Sequence, residues 1–262
     1  MTPIAALRTL RADAGALPLV LLHGFPLDSR MWTAAARSVV QPASVHVVDL
    51  PGTPGHVAGL PAPSLEQSAD EVARLLAEAG IGRAVVVGLS MGGYVALALA
   101  ERHPDLLAGL GLADTKSVAD TPAAAAGRLA AADALESSRT LDVVLPTVEG
   151  LLGESTRTAR PQVRDQVLAW VREQEPAGLA WSQRAMAARP ARTEVLRTFA
   201  GPVTVMVGDE DTVTPVEQAR AMAAVADAAV VVVPRVGHLS AVEDPAAVAT
   251  ALGELVSKAR RG

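Results

Sequence analysis

Short apolar runs alternate along this chain with longer, alanine-rich stretches. Six runs are apolar at nearly every position rather than at every second one, and they predict β-strands at residues 17–22, 45–48, 84–87, 106–112, 203–207 and 230–233. Continuous apolar strands are typical of a parallel sheet, because helices cover both of its faces. The stretches between the strands predict helices at residues 65–79, 91–102, 215–226 and 245–260. This alternation predicts an α/β fold with a doubly wound, mostly parallel sheet and right-handed crossovers.

One long segment interrupts the alternation. Between residues 117 and 199 no stretch has the character of a strand, and helical stretches are separated by prolines at positions 122, 146, 161, 176 and 190. Because proline ends helices but tolerates their first turn, this pattern favours several short helices in succession. We therefore expect a helical insertion, residues 117–199, that rests on a sheet domain formed by residues 1–116 and 200–262.

Composition and charge narrow the class of protein. Half of the residues are hydrophobic and 19% are charged, which excludes a disordered chain. The net charge of -5 gives no indication of the basic surface with which proteins bind nucleic acid. The chain has no cysteine, so disulfides, thiolate zinc sites and cysteine nucleophiles are excluded. The absence of cysteine fits a cytoplasmic protein, and we expect that location.

The sequence predicts neither a membrane segment nor a cofactor site. Residues 1–15 include Arg8, Arg11 and Asp13 and so lack the apolar core of a signal peptide. Residues 84–100 are uncharged, but the glycines among them suit a strand, a turn and a buried helix better than a bilayer span. No two histidines have the spacing of metal ligands on a helix, so we expect no metal and no cofactor.

A candidate nucleophile follows the third predicted strand. Residues 88–93 read GLSMGG, a G-x-S-x-G pattern between a β-branched run and an apolar helix. In that context the pattern predicts a sharp turn that lifts the Ser90 side chain out of the backbone. The amides at the start of the helix favour negative charge beside it. We predict that the N–H of Met91 is one donor to an oxyanion, and that the N–H of Phe25, after the first strand, is the second.

A serine hydroxyl needs a base within hydrogen-bond reach, and His238 is the best candidate among the five histidines. It lies late in the chain, on a loop beyond the carboxyl end of a predicted strand, where sites of parallel sheets form. A carboxylate should orient the base. Asp209, Glu210 and Asp211 follow the preceding strand and compete for that role, with Asp211 favoured because it lies farthest past the strand end. Asp114 is a second candidate acid.

Serine, acid and histidine in this chain order resemble the α/β-hydrolase fold superfamily. The matching segments are HGFP at 23–26, GLSMGG at 88–93, GDEDTVTP at 208–215 and GHLS at 237–240. The resemblance selects Asp211 among the three adjacent acids and supports Ser90 and His238. It also implies that residues 117–199 form the lid of that fold family.

Within the superfamily the chain is similar to small bacterial esterases, enol-lactonases of aromatic catabolism and cofactor-free haloperoxidases. This narrower resemblance depends mainly on LADT at 112–115 and on GHLS at 237–240. One departure is DLPGTPG at 49–55, where relatives usually have a more compact G-x-G-x-S turn. That difference concerns one wall of the substrate pocket and leaves the proposed catalytic residues unaffected.

Aromatic residues indicate where a substrate pocket lies. The chain has six of them, and the three tryptophans fall near the proposed oxyanion loop or in the insertion. We predict that Trp32, Trp170 and Trp181, together with Asp114, line a partly apolar pocket. The alternative is that the tryptophans attach the lid to the sheet domain.

These features predict a serine hydrolase that cleaves small carboxylic esters or lactones through an acyl-enzyme, with Ser90 as nucleophile, His238 as base and Asp211 as its orienting acid. One alternative is a cofactor-free haloperoxidase or perhydrolase that uses the same three residues. Another is a signalling or binding protein in which hydrolysis is incidental. The expected partner is a small-molecule ester or lactone, with no nucleic acid and no membrane, and the oligomeric state is left open.

Overall fold

The computed structural model describes residues 3–261 and contains a seven-stranded sheet in that part of the chain. The strands are β1 (Ala6–Arg11), β2 (Leu19–Leu22), β3 (Val45–Asp49), β4 (Ala84–Leu89), β5 (Leu107–Ala113), β6 (Val203–Gly208) and β7 (Val230–Val233). Their order is β1-β3-β2-β4-β5-β6-β7, with β1 antiparallel to β3 and all other pairs parallel. The predicted doubly wound, mostly parallel α/β fold is confirmed. Residues 1, 2 and 262, at the ends of the predicted sheet-domain segments, lie outside the described residues.

Helices cover both faces of the sheet. They are α1 (Thr33–Ser38), α2 (Leu65–Glu78), α3 (Met91–Arg102), α4 (Pro122–Ser138), α5 (Val148–Leu151), α6 (Glu154–Ala159), α7 (Pro161–Arg172), α8 (Pro176–Ala188), α9 (Thr193–Thr198), α10 (Val216–Ala226), α11 (Ser240–Glu243) and α12 (Pro245–Ala259), with short 3-10 turns at Ser29–Trp32, Pro104–Leu106 and Leu145–Thr147. Helices α1 and α12 contribute to the hydrophobic core on one face, and α2, α3, α9 and α10 to the core on the other. Among residues 3–261, no helix combines the length and the apolar character that crossing a bilayer requires.

The structure adds one strand that the apolar pattern does not predict. Strand β1 has half-buried positions at its two ends and exposed positions at its centre, and it lies at the edge of the sheet. An edge strand with a solvated face needs no continuous apolar run, so its sequence gives a weak signal. The central strands β2, β4 and β5 are buried at every position, which is why their sequences predict them well.

Helices α4 to α9 form an insertion between β5 and β6, and every regular element described there is helical. The insertion contacts the loop after β3 closely, since a Cβ added to Gly178 would lie 1.9 Å from the carbonyl oxygen of Gly52. Trp181 donates from Nε1 to the carbonyl oxygen of Pro61 at 2.8 Å. At the base of the insertion, the buried guanidinium of Arg192 pairs with Glu101 of α3 at 2.9 Å. These contacts hold the insertion on the sheet domain.

Candidate active site

Ser90 lies at the sharp turn between β4 and α3. Its backbone angles, φ of 51° and ψ of -111°, lie in a region that residues other than glycine rarely adopt. Two hydrogen bonds hold this backbone in place: the N–H of Ser90 donates to Ala113 O at 2.9 Å, and Oγ1 of Thr115 donates to Ser90 O at 2.8 Å. The strained turn is therefore fixed by the end of the neighbouring strand β5.

The glycines around Ser90 permit a close approach of strand and helix. A Cβ added to Gly88 would lie 2.1 Å from the carbonyl carbon of Gly92, and one added to Gly92 would lie 2.2 Å from Leu22 O. No real side chain tolerates such distances. The G-x-S-x-G pattern thus has the physical basis that the sequence predicts.

Ser90, His238 and Asp211 form one continuous chain of hydrogen bonds. Nε2 of His238 lies 2.8 Å from Ser90 Oγ, and Nδ1 of His238 lies 2.8 Å from Oδ2 of Asp211. The three residues meet because β4, β6 and β7 all point their carboxyl ends to the same edge of the sheet. Ser90 is 8% exposed and His238 only 2%, so the site is closed to solvent in this conformation.

The three adjacent acids after β6 have separate partners. Asp209 accepts a hydrogen bond from the backbone N–H of Arg235. Glu210 accepts hydrogen bonds from the backbone and hydroxyl of Ser155 in the insertion. Oδ2 of Asp211, the acid that the resemblance selects, lies 2.8 Å from Nδ1 of the His238 imidazole. The three side chains therefore have different partners, and these could not be assigned from sequence alone.

Asp211 is held by its own loop as well as by the histidine. Its Oδ1 accepts hydrogen bonds from the N–H groups of Val213 at 2.8 Å and Thr214 at 2.9 Å. The hydroxyl of Thr214 donates to Oδ2 at 2.7 Å. Thr214 therefore supports the carboxylate, and helix α10 begins two residues later, at Val216.

The electrostatic environment lowers the pKa of Asp211 and raises the pKa of His238. Burial by itself raises the pKa of Asp211, but the hydrogen bonds from His238 and Thr214 outweigh it, so that the pKa lies below its usual value. Burial by itself lowers the pKa of His238. The hydrogen bond and charge of Asp211, with the charges of Asp114 and Glu243, outweigh this and hold the pKa above 6.5.

Asp114 lies beneath the site rather than in the wall of a pocket. It is fully buried, its Oδ1 accepts from the N–H of Gly208 at 3.0 Å, and its Oδ2 accepts from the backbone and hydroxyl of Ser240. Burial, and then the charge of Asp211, raise the pKa of Asp114 above its usual range. Because both oxygens are bound to protein donors, the structure does not place Asp114 in the predicted pocket. It ties the end of β5 to the segments that carry Asp211 and His238.

The predicted oxyanion loop passes directly against the Ser90 turn. A Cβ added to Gly24 would lie 3.4 Å from Cβ of Ser90. His23 shapes this loop, since its Nε2 accepts from the N–H of Leu50 at 3.0 Å and its Nδ1 donates to Gly24 O at 3.2 Å. Burial lowers the pKa of His23, which favours this neutral form. The next residue, Phe25, is half-buried and packs against both hydrophobic cores.

Met91 borders Ser90 on the other side, as the first residue of α3. The amides of a first helical turn have no carbonyl partner within the helix and point along its axis toward the N-terminus. A role for the N–H of Met91 as an oxyanion donor stays a prediction.

The three tryptophans make different contacts. Trp181 attaches the insertion to the loop after β3, which is the alternative that the sequence leaves open. Trp170 is half-buried, and the guanidinium carbon of Arg30 lies 6.0 Å from its ring centroid. Trp32 is fully buried in the core with α1 and α12, and its Nε1 has no hydrogen-bond partner among the described residues. A pocket role for any of them stays a prediction.

Sequence reasoning misses Glu243, a buried carboxylate next to the histidine. Glu243 is 2% exposed and accepts hydrogen bonds from the N–H groups of Gly237 at 3.0 Å, Leu239 at 3.2 Å and Gly153 at 2.9 Å. The available signal was a glutamate within the otherwise small and apolar run after His238. Because Glu243 directly precedes Asp244 and a proline, it is more readily interpreted as part of the start of the last helix.

Known proteins share this fold over nearly the whole chain. A thermophilic esterase from Thermogutta terrifontis, solved with malate bound, has 34% sequence identity and a TM-score of 0.91, with 97% of this chain and 93% of that chain covered. The enol-lactonase from Burkholderia xenovorans LB400 has 24% identity and a TM-score of 0.83, with 97% and 96% covered, which shows the common fold.

Similarity to curated proteins is more local. A pimeloyl-[acyl-carrier protein] methyl ester esterase from Vibrio cholerae is 41% identical over 92 residues, which are 35% of this chain and 34% of that protein. The chain therefore matches about a third of the length of such relatives.

A family model extends the similarity across the sheet domain and the insertion. The model described as the alpha/beta hydrolase family matches residues 19–251. This range includes all four motifs on which the resemblance was based and every residue of the hydrogen-bonded chain. The protein belongs to the alpha/beta hydrolase family.

Proposed function

We propose that the protein is a serine hydrolase that cleaves small carboxylic esters or lactones through an acyl-enzyme intermediate. The observation that carries this proposal is the chain of 2.8 Å hydrogen bonds from Asp211 through His238 to Ser90. The 34% identity with a thermophilic esterase over nearly the full chain supports ester hydrolysis as the reaction.

Each group in the site has a role in this reaction. Ser90 Oγ attacks the ester carbonyl while His238 Nε2 accepts its proton. Asp211 accepts from Nδ1 of the imidazole, which fixes the tautomer and stabilises the imidazolium that forms. The backbone N–H groups of Phe25 and Met91 bind the oxyanion. His238 then protonates the leaving alcohol, and a water molecule activated by the same histidine releases the acid.

We further propose that residues 117–199 act as a lid over this site. The low exposure of Ser90 and His238 supports a closed state from which the insertion excludes water. A substrate pocket beneath the insertion would be small and partly apolar, with Trp32, Trp170 and Trp181 as candidate wall residues.

The proposal is tested with a fluorophosphonate probe and a substrate panel. We expect one covalent adduct, located at Ser90 by mass spectrometry, and turnover of short-chain esters or of lactones that the probe abolishes. An adduct at another residue, or none, contradicts the proposal. Hydrogen-peroxide-dependent peracid formation exceeding hydrolysis would instead assign the perhydrolase alternative, and labelling without turnover on any ester would assign the binding protein.

The pH dependence of activity should have an acid limb set by His238. The general base must be neutral, so kcat/KM rises as His238 loses its proton. Because the surrounding carboxylates hold the pKa of His238 above 6.5, we expect the midpoint of this limb above pH 6.5. Initial rates of p-nitrophenyl ester hydrolysis in buffers of constant ionic strength measure it. A midpoint well below 6.5 would contradict the assigned electrostatics.

A further inference from the structure

The turn that carries His238 belongs to the sheet domain and is held by hydrogen bonds to the insertion. We name residues 234–239 the histidine turn and residues 151–155, which connect α5 to α6, the joint segment. The N–H of His238 itself donates to Leu151 O in the joint segment at 2.9 Å. The backbone of the proposed base is thus bonded directly to the insertion.

Glu243 connects the two segments through a single carboxylate. Its oxygens accept from the N–H groups of Gly237 and Leu239, the residues on either side of His238. Oε2 also accepts from the N–H of Gly153 in the joint segment at 2.9 Å. Hydrogen bonds to an ionised acceptor are stronger than neutral ones, and this acceptor is buried. Any movement of the joint segment therefore disturbs the same carboxylate that holds the histidine turn.

The two segments touch backbone to backbone. A Cβ added to Gly153 would lie 2.8 Å from Gly237 N and 2.6 Å from Oε2 of Glu210, and one added to Gly237 would lie 2.3 Å from Gly153 N. Glu210 accepts from the N–H of Ser155 at 2.8 Å. Arg160, just beyond the joint segment, donates to the backbone carbonyl groups of Glu243 and of the histidine turn. This contact leaves no space for a side chain at Gly153.

We propose that Glu243 and the joint segment are positioning elements for His238, so that the base has its reactive geometry only while the insertion is docked at this point. The inference rests on the proposed serine hydrolase function. Glu243 touches no reacting atom and acts through the backbone amides of residues 237 and 239. The joint segment accordingly stays with the sheet domain when substrate enters, and the opening of the site takes place elsewhere in the insertion.

The first test compares two glycine substitutions in the insertion. Gly153→Ala places a methyl group in the contact without backbone strain, since φ is -61° and ψ is 151°. Gly150→Ala, in helix α5, meets no atom within 4 Å and is the matched control. We expect Gly153→Ala to lower kcat about a hundredfold with KM unchanged, because a displaced base slows proton transfer from Ser90 without changing substrate binding. The rate of fluorophosphonate labelling at Ser90 should fall in parallel, while Gly150→Ala behaves as the wild type.

The second test uses pH and does not depend on the first variant being stable. The carboxylates that act on His238 are Asp211, Asp114 and Glu243, and each raises its pKa. Glu243→Gln removes one of these charges, so the acid limb of the labelling rate should move to lower pH, and the plateau rate should fall. Glu254→Gln on the exposed side of α12 is the control. The shift of the limb reports the charge of Glu243, and the plateau rate reports its positioning role. A residue that only stabilised the fold would lower the folded fraction, measured by circular dichroism, without lowering the plateau rate of the folded protein.

The outcomes separate this inference from the proposed function. A wild type that is not labelled at Ser90 refutes the function. A labelled, active wild type together with folded Gly153→Ala and Glu243→Gln proteins of wild-type plateau rate overturns the positioning role alone, whether or not the acid limb of Glu243→Gln moves. If Gly153→Ala does not fold, the plateau rate of folded Glu243→Gln decides the question.

Discussion

Ser90→Ala is expected to lower ester turnover by a factor of about a thousand to a million. The substitution removes the one nucleophile of the proposed reaction and leaves the amides of Phe25 and Met91 to stabilise only an uncatalysed attack by water. Ser90 Oγ makes its hydrogen bond to His238, so the hydroxyl is not needed to close a helix or a strand. The expected loss is therefore one of rate and not of folding, and kcat/KM for p-nitrophenyl acetate measures it.

The matched control is Ser137→Ala on the exposed surface of α4. The hydroxyl of Ser137 donates to Asp133 O at 2.7 Å within its own helix. Its loss should leave turnover and fluorophosphonate incorporation at the wild-type level. Ser90→Ala should incorporate no fluorophosphonate at all. Retention of wild-type turnover by the folded Ser90→Ala protein would mean that another group attacks the ester, and the mechanism would have to be abandoned.

The buried strands could be predicted from sequence because their environment is simple. Helices cover both faces of β2, β4 and β5, so every position in these strands is apolar. The same reasoning overlooks β1, which lies at an edge and presents Arg8 and Thr9 to solvent or to neighbouring loops. An edge strand is specified by its pairing with β3, and pairing leaves little trace in a single sequence.

Whether a residue of the site can be predicted from sequence also depends on whether the contacts that fix it are close or distant along the chain. Ser90 is predictable because a strained turn demands glycines two positions before and after it, and those glycines are adjacent in sequence. Glu243 and Gly153 are not predictable, because their role arises only when the joint segment, 90 residues before Glu243, meets the histidine turn. For Asp114, a carboxylate at a strand end is compatible with either a pocket or a buried brace, and only its two sets of hydrogen bonds decide between them.

Asp211→Asn is expected to lower kcat by about ten thousandfold while the fold stays intact. Oδ1 of Asp211 accepts hydrogen bonds from two backbone N–H groups, so the amide oxygen of asparagine should take that position. The NH2 group then faces Nδ1 of His238 and donates to it. This forces the imidazole proton onto Nε2, where it points at Ser90 and prevents His238 from accepting the serine proton. The neutral amide also gives no charge to stabilise an imidazolium.

Two asparagine substitutions at neighbouring acids complete this prediction. Asp209→Asn should leave kcat near the wild type, because Asp209 bonds Arg235 and not the histidine. Asp114→Asn should lower the melting temperature, because the new NH2 group must face a backbone N–H donor, that of Gly208 or that of Ser240, but its kcat should exceed that of Asp211→Asn by far. Steady-state kinetics and thermal unfolding of the three proteins test the order. If Asp114→Asn lost the most activity and Asp211→Asn the least, the orienting acid would be Asp114, at the end of β5.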